Sequence, residues 1–171
     1  MAIKIKPDYA DAYNNLGAVL FNAKMTEEAI DYFKEAIRIR PGFTAAHYNL
    51  GIALFAERKI EGAISHYKMA IKLNPAYAEA HYNLGIALVA EGKNEEAISH
   101  YKMAIKLKPD FAEAYSNLGN ALVKKGEMKE AIDHYKETLK LKPDLVGAQK
   151  NLEAALLRSG KHDRLNTPSI P

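Results

Sequence analysis

The sequence predicts an all-α fold, an α-solenoid of stacked antiparallel helix pairs. Three observations lead there. First, two stretches recur letter for letter: "AHYNLGIAL" at 46–54 and 80–88, and "AISHYKMAIKL" at 63–73 and 97–107, each pair offset by 34 residues. Second, single residues hold the same spacing: Pro7, Pro41, Pro75, Pro109 and Pro143; Gly17, Gly51, Gly85 and Gly119; and Leu16, Leu50, Leu84, Leu118 and Leu152. Third, each unit contains two stripes of helical period. A fixed period in this range is the mark of a stacked-repeat architecture.

The first stripe places Tyr13, Leu16, Gly17 and Leu20 at i, i+3, i+4 and i+7, one face of an α-helix. The second does the same with Ala29, Phe33 and Ala36. These spacings predict helices over about 10–23 and 26–39, repeated at each 34-residue step. "NAKMTEE" and "KKGEMKE" supply short polar turns between the helices of a pair, and the prolines end the second helix. Glu27, Glu28, Glu95 and Glu96 open the second helices and Arg38, Arg40, Lys106 and Lys108 close them, as the helix dipole favours. A helical glycine costs up to about 1 kcal/mol relative to alanine. Its recurrence in "NLG" therefore implies a steric need: Gly17 and Ala29 mark the close approach within a pair, and Ala36 admits the next pair. Nine helices are expected, covering at least about 70% of the chain with no strand.

The units run 10–43, 44–77, 78–111 and 112–145. "AIKIKPDY" at 2–9 matches "AIKLKPDF" at 104–111, and residues 1–9 read as the end of a preceding second helix, in a segment cut from a longer array. Residues 146–160 read as a capping helix, because Glu153 replaces the glycine and suits a helix with no partner there. Residues 161–171, "KHDRLNTPSIP", read as a flexible tail.

Composition excludes several function classes. Apolar residues at 48% and charged residues at 26% argue against global disorder. A net charge of +3, from 24 basic and 21 acidic residues, is too balanced to imply nucleic acid or an anionic membrane. No apolar run approaches the roughly 20 residues that cross a bilayer. With no cysteine, disulfides and thiolate metal sites are out, and a reducing, cytoplasmic setting fits. Of the six histidines, His47 and His81 are repeat equivalents, as are His66, His100 and His134. Equivalent positions lie roughly 10 Å apart in stacked helices, too far to share a metal that needs nitrogens within about 2.1 Å. No metal, cofactor or catalytic site is expected, and no phosphate loop or nucleophile elbow occurs. The lysine and arginine rows along the second helices (Lys34, Lys68, Lys102, Lys136; Arg38, Lys72, Lys106, Lys140) carry acids beside them and read as solvated outer faces.

"AYNNLGAVLFNAKMTEEAIDYFKEAIRIRP" resembles a tetratricopeptide repeat: an aromatic, Leu-Gly, a large residue, alanine, an aromatic, alanine and proline. The resemblance holds in phase through four units. Tyr13, His47, His81 and Tyr115 stand where the family often has tryptophan. It implies a right-handed superhelix whose concave face, built from the first helices, binds protein or peptide. On that face lie Asn14, Tyr48, Ile52, Tyr82, Ile86, Asn120, Lys124, Lys150 and Arg158. The face is apolar in the middle and basic toward the C-terminal end. Beside them runs a ladder of asparagines, Asn15, Asn49, Asn83, Asn117 and Asn151. An amide can pair with an extended peptide backbone. A similar ladder does so in O-linked N-acetylglucosamine transferases, whose repeats "FAEAYSNLGNALVKKGEMKEAIDHYKETLKLKPD" resembles. Helix-to-helix hydrogen bonding is the competing role for these amides. The carboxylate clamp of chaperone-binding members is missing, since its sites hold Asn14, Ala18, Glu79 and Asn83, with Asn49 alone retained.

The expected function is a protein–protein interaction module that is not an enzyme. Two alternatives stand beside it: a substrate-recruiting or regulatory arm of a larger enzyme such as a glycosyltransferase, and a scaffold self-assembling weakly through head-to-tail contacts.

Overall fold

A computed structural model describes residues 8–160. The expected end of a preceding helix at 1–7 and the expected tail at 161–171 lie outside the described residues. Among the described residues there are nine α-helices and no strand: α1 (Asp8–Asn22), α2 (Thr26–Ile39), α3 (Thr44–Ala56), α4 (Ile60–Leu73), α5 (Ala78–Ala90), α6 (Asn94–Leu107), α7 (Ala112–Lys125), α8 (Met128–Leu141) and α9 (Val146–Arg158). The odd-numbered helices are first helices and the even-numbered ones second helices. The first helix starts at Asp8 instead of 10, and α9 ends at Arg158, followed by a turn at 159–160.

The chain forms two compact units, Met1–Gly92 with α1 to α5 and Lys93–Pro171 with α6 to α9. In unit 1, α1 packs on α2, α3 on α4, and α2 and α4 each pack on the next first helix. Unit 2 repeats the scheme with α6 on α7, α7 on α8 and α8 on α9.

Local chemistry sets the helix ends. Each second helix stops two residues before a proline. Arg40, Asn74, Lys108 and Lys142 there take φ between −132° and −137° with ψ of 85° to 92°. The proline ring forces its predecessor out of the helical region. First helices are followed by a left-handed residue whose next neighbour reaches back five positions in the chain. Met25 N–H donates to Leu20 O at 2.9 Å, and Glu127 N–H donates to Leu122 O at 2.9 Å. This closing motif prefers glycine. Gly92 and Gly126 take this left-handed position at φ 83° and 89°, while Lys24 and Arg58 occupy it at φ 66° and 57°. No side chain caps the start of α2 to α9. Packing, more than capping, therefore holds these short helices.

The cores follow the repeat. In unit 1, Ala29, Ile30 and Phe33 of α2 form a buried cluster with Leu50 and Ala53 of α3. In unit 2, Leu118, Leu122, Ala131, Ile132, Tyr135 and Leu156 are buried. The glycine of "NLG" has its steric reason. A Cβ on Gly17 would stand 2.7 Å from the Phe33 ring, one on Gly51 2.6 Å from Tyr67, and one on Gly119 2.6 Å from Tyr135. The close approach within a pair is thus glycine against a second-helix aromatic. Ala29, Ala63 and Ala131 are fully buried beside it.

Candidate functional site

In unit 1, α1, α3 and α5 lie side by side, each touching the next. They share the face that the sequence marks as the binding surface. Tyr48, Ile52, Tyr82 and Ile86 are half-buried there, and Asn14 is buried. Tyr48 is the best-held of these side chains. Its ring lies 4.7 Å from that of Tyr77 and 6.1 Å from that of Tyr67, and Asn83 Nδ2–H donates to its hydroxyl at 2.9 Å. Burial, with the Tyr77 and Glu79 charges adding to it, pushes the Tyr48 hydroxyl up to about 12. It is therefore a neutral phenol at any physiological pH.

In unit 2, α7 and α9 are neighbours. Asn117, Asn120 and Asn151 are half-buried, while Lys124, Lys150 and Arg158 are exposed. Glu113 pairs with Lys142, whose hydrogen bond and charge hold its carboxyl below the usual carboxylate range. The equivalent pair in unit 1 joins Asp11 to Arg40. Both pairs link the start of a first helix to the end of its partner.

The asparagine ladder makes helix-to-helix bonds. Asn49 Nδ2–H donates to Asn14 Oδ1 at 2.9 Å, and Asn83 donates to Tyr48 as above. In unit 2, Asn151 Nδ2–H donates to Asn120 Oδ1 at 2.8 Å, an atom that also accepts from the Tyr135 hydroxyl at 2.8 Å. Asn15 is exposed. Of the two roles open to the ladder in the sequence, the structure displays the helix-to-helix one at Asn49, Asn83 and Asn151.

Histidine pairing was not foreseen. His47 and His66, from the two helices of one pair, bring their Nδ1 atoms to 3.0 Å with ring centroids 5.3 Å apart. His47 Nε2 lies 3.0 Å from the Pro41 carbonyl, which can only accept. Nε2 therefore carries the proton, and His66 Nδ1–H donates to His47 Nδ1. Burial, and next the His47 charge, lower the His66 pKa. Histidines equivalent across repeats lie 34 apart in sequence. The signal lay at a spacing of 19, which also joins Tyr13 to Tyr32 at 5.8 Å and Tyr115 to His134 at 5.8 Å. Among the described residues, no group of three or more histidines and acids is arranged to hold a metal.

The rows on the second helices carry nearby acids: Lys34 with Asp31 at 3.3 Å, Arg38 with Glu35 at 2.5 Å, Lys140 with Glu137 at 3.0 Å and Lys102 with Glu130 at 2.9 Å. Two open clefts, of 510 and 280 Å³, lie at turns instead of on the shared face. The larger is lined by Arg58–Gly62 with Ala90 and Glu91, the smaller by Lys24–Glu28 with Glu57. No described helix is long and apolar enough to cross a membrane.

Comparison with known proteins agrees with this geometry. Family models described as tetratricopeptide repeat match residues 10–43 and 112–145, and models described as TPR repeat match 53–92 and 87–126. No curated protein matches by sequence. Among solved structures, one titled as the crystal structure of MamA is 30% identical, with 82% of each chain covered and a TM-score of 0.76. A second MamA structure is 23% identical over 97% of this chain and 100% of the other, with a TM-score of 0.85. The structure of YrrB, titled as a TPR protein with an unusual peptide-binding site, is 19% identical over 88% of this chain and 78% of the other, with a TM-score of 0.78. Helix pairs of 34-residue period, the glycine-to-aromatic contacts at Gly17, Gly51 and Gly119, and family models spanning most of the repeats converge: the chain belongs to the tetratricopeptide repeat family.

Proposed function

We propose that this chain is a binding module, not an enzyme, and that the face shared by α1, α3 and α5 receives a segment of a partner protein. One observation carries the reading: Tyr48, packed at tilted angles against Tyr67 and Tyr77 and held by Asn83, is a rigid aromatic platform with Ile52, Tyr82 and Ile86 half-buried around it. Ordering such a side chain before binding spares entropy on association. The segment presents apolar side chains to this platform, in extended or short helical form. With Asn49 and Asn83 bonded between helices, side-chain burial contributes more to the affinity than an amide ladder. The face of unit 2, with Lys124, Lys150 and Arg158 exposed, suits acidic side chains. That YrrB is titled as having a peptide-binding site is in keeping with a peptide ligand.

The test uses peptides selected against the whole chain from a displayed library. Tyr48→Ala with Tyr82→Ala should weaken their binding by about 1 kcal/mol or more per anchor, with helicity unchanged by circular dichroism. Lys150→Ala with Arg158→Ala should make the binding of acidic peptides less sensitive to salt. Unchanged binding in both, with loss on Lys68→Glu and Lys72→Glu, would move the site to the outer helices.

A further inference from the structure

The outward faces of the second helices follow two patterns. In α2 the register reads Asp31, Lys34, Glu35 and Arg38, and in α8 it reads Asp133, Lys136, Glu137 and Lys140, two acids against two bases. In α4 the same register reads Ser65, Lys68, Met69 and Lys72, so both acids are gone and both bases stay. The ion pairs follow the letters. Glu35 holds Arg38 at 2.5 Å and Glu137 holds Lys140 at 3.0 Å. Lys68 and Lys72 are exposed and pair with no acid among the described residues. Glu61, in the first turn, is the one acid of α4. Beside the lysines stand Met69, 37% exposed, and Leu73, 39% exposed. Leu73 lies next to Gly42, where a Cβ would meet its Cδ2 at 3.9 Å. The later repeats have Asp110 and Asp144 at the place of Gly42. α6 shares the letters of α4, but there Lys102 is drawn to Glu130 of α8 at 2.9 Å.

We propose that this outward face of α4 is a second binding surface, which docks an acidic amphipathic helix of a partner protein. The face has two adjacent rows, Lys68 with Lys72 and Met69 with Leu73, each spaced one turn, about 6 Å, along the axis. A partner helix with acids at i and i+4 and apolar residues beside them meets both rows at once. An extended segment sends successive side chains to opposite sides and offers one row at a time. Unpaired lysines select the charge of the partner, and methionine adapts its shape to the apolar row. Two lysines fall short of the clusters of about four to eight basic residues that mark an anionic membrane. Tyr67 of the same helix is buried and gives a nucleobase nothing to stack on. A second copy of the chain is a poor match, because the acid rows of α2 and α8 are balanced by their own bases.

The probe is a blocked alanine-based helical peptide with Glu at i, i+4 and i+8 and Leu at i+1, i+5 and i+9. It is labelled and titrated into the full chain by fluorescence anisotropy, with NMR of the methionine methyl groups on the protein. Saturable, salt-sensitive binding is expected, with the Met69 signal shifting most and the Met25 and Met128 signals least. Gln for each Glu of the peptide, or Lys68→Gln with Lys72→Gln in the protein, should weaken binding by about tenfold or more. Ser65→Asp with Met69→Glu restores the letters of α2 while keeping both lysines, and should weaken binding as much. All four positions are exposed, so helicity by circular dichroism should not change. Four outcomes would overturn the proposal. They are no saturation up to millimolar peptide, binding indifferent to the α4 variants, a Met69 signal that moves with phosphatidylserine vesicles and not with peptide, or one that moves with protein concentration alone. The second would place the acidic peptide elsewhere, the third would put a membrane on this face and the fourth a second copy.

Discussion

On the face shared by its first helices, unit 1 carries Tyr48, Ile52, Tyr82 and Ile86, where unit 2 carries Ser116, Asn120, Lys150 and Ala154. The backbone scheme is the same, yet the hydrogen bonds differ. In unit 1 Asn49 and Asn83 reach the side chain at the first of these positions in the preceding first helix, Asn14 and Tyr48. In unit 2 that position is Ser116, whose side chain is far shorter, and Asn151 goes to Asn120 one turn along. Asn120 is itself fixed by the Tyr135 hydroxyl. The repeat thus specifies that an asparagine bonds along the stack, and the neighbour's length decides to which atom. The variable positions are where one unit becomes an aromatic platform and the other a polar, basic surface.

The largest effects are expected at the glycines, where both units obey one steric rule. Gly51→Ala and Gly119→Ala place a Cβ against buried tyrosine rings and should each lower stability by roughly 1–3 kcal/mol, read by chemical denaturation. Glu153→Gly, at the same register in α9 where the side chain is exposed, should instead cost no more than about 1 kcal/mol through helix propensity. Equal costs at all three sites would break the rule.

A middle-sized effect separates the ladders. Tyr48→Phe removes the acceptor of Asn83 and should cost about 1 kcal/mol. Ser116→Phe in unit 2, where no such bond ends, should not cost it. At the turns, Lys24→Gly and Arg58→Gly should raise stability by up to about 1 kcal/mol each, because left-handed backbone is strained for both residues. The turns at Gly92 and Gly126 already have glycine, so Gly126→Lys should lose a similar amount. Thermal melts of the three variants check the set.

The smallest effect is in pH. Burial lowers the pKa of His66 and His81 in unit 1 and of His134 in unit 2, where Glu130 opposes the shift. A histidine lowered in the folded state binds fewer protons than the unfolded chain below about pH 6.5. Stability should therefore be flat above that pH and fall as the pH drops below it. His66→Asn, which keeps a donor toward His47, should flatten the slope between about pH 6.5 and 5 more than His134→Asn does. A slope unaffected by either would remove histidine burial as its cause.

Much of this was legible in the letters. The 34-residue period, the prolines and the two apolar stripes determined the helices, their order and the close approach at glycine, because these depend on local geometry and on contacts every repeat shares. They also placed the candidate face, since a helical wheel needs no neighbour to be drawn. What the letters left open was decided by side chains meeting across helices. The ladder's bonds depend on the length of the side chain opposite, and the proton arrangement of His47 and His66 depends on the Pro41 carbonyl. The same leucine is sealed at Leu50 and open at Leu16. Burial belongs to the neighbour as much as to the residue, and only the packed structure supplies the neighbour.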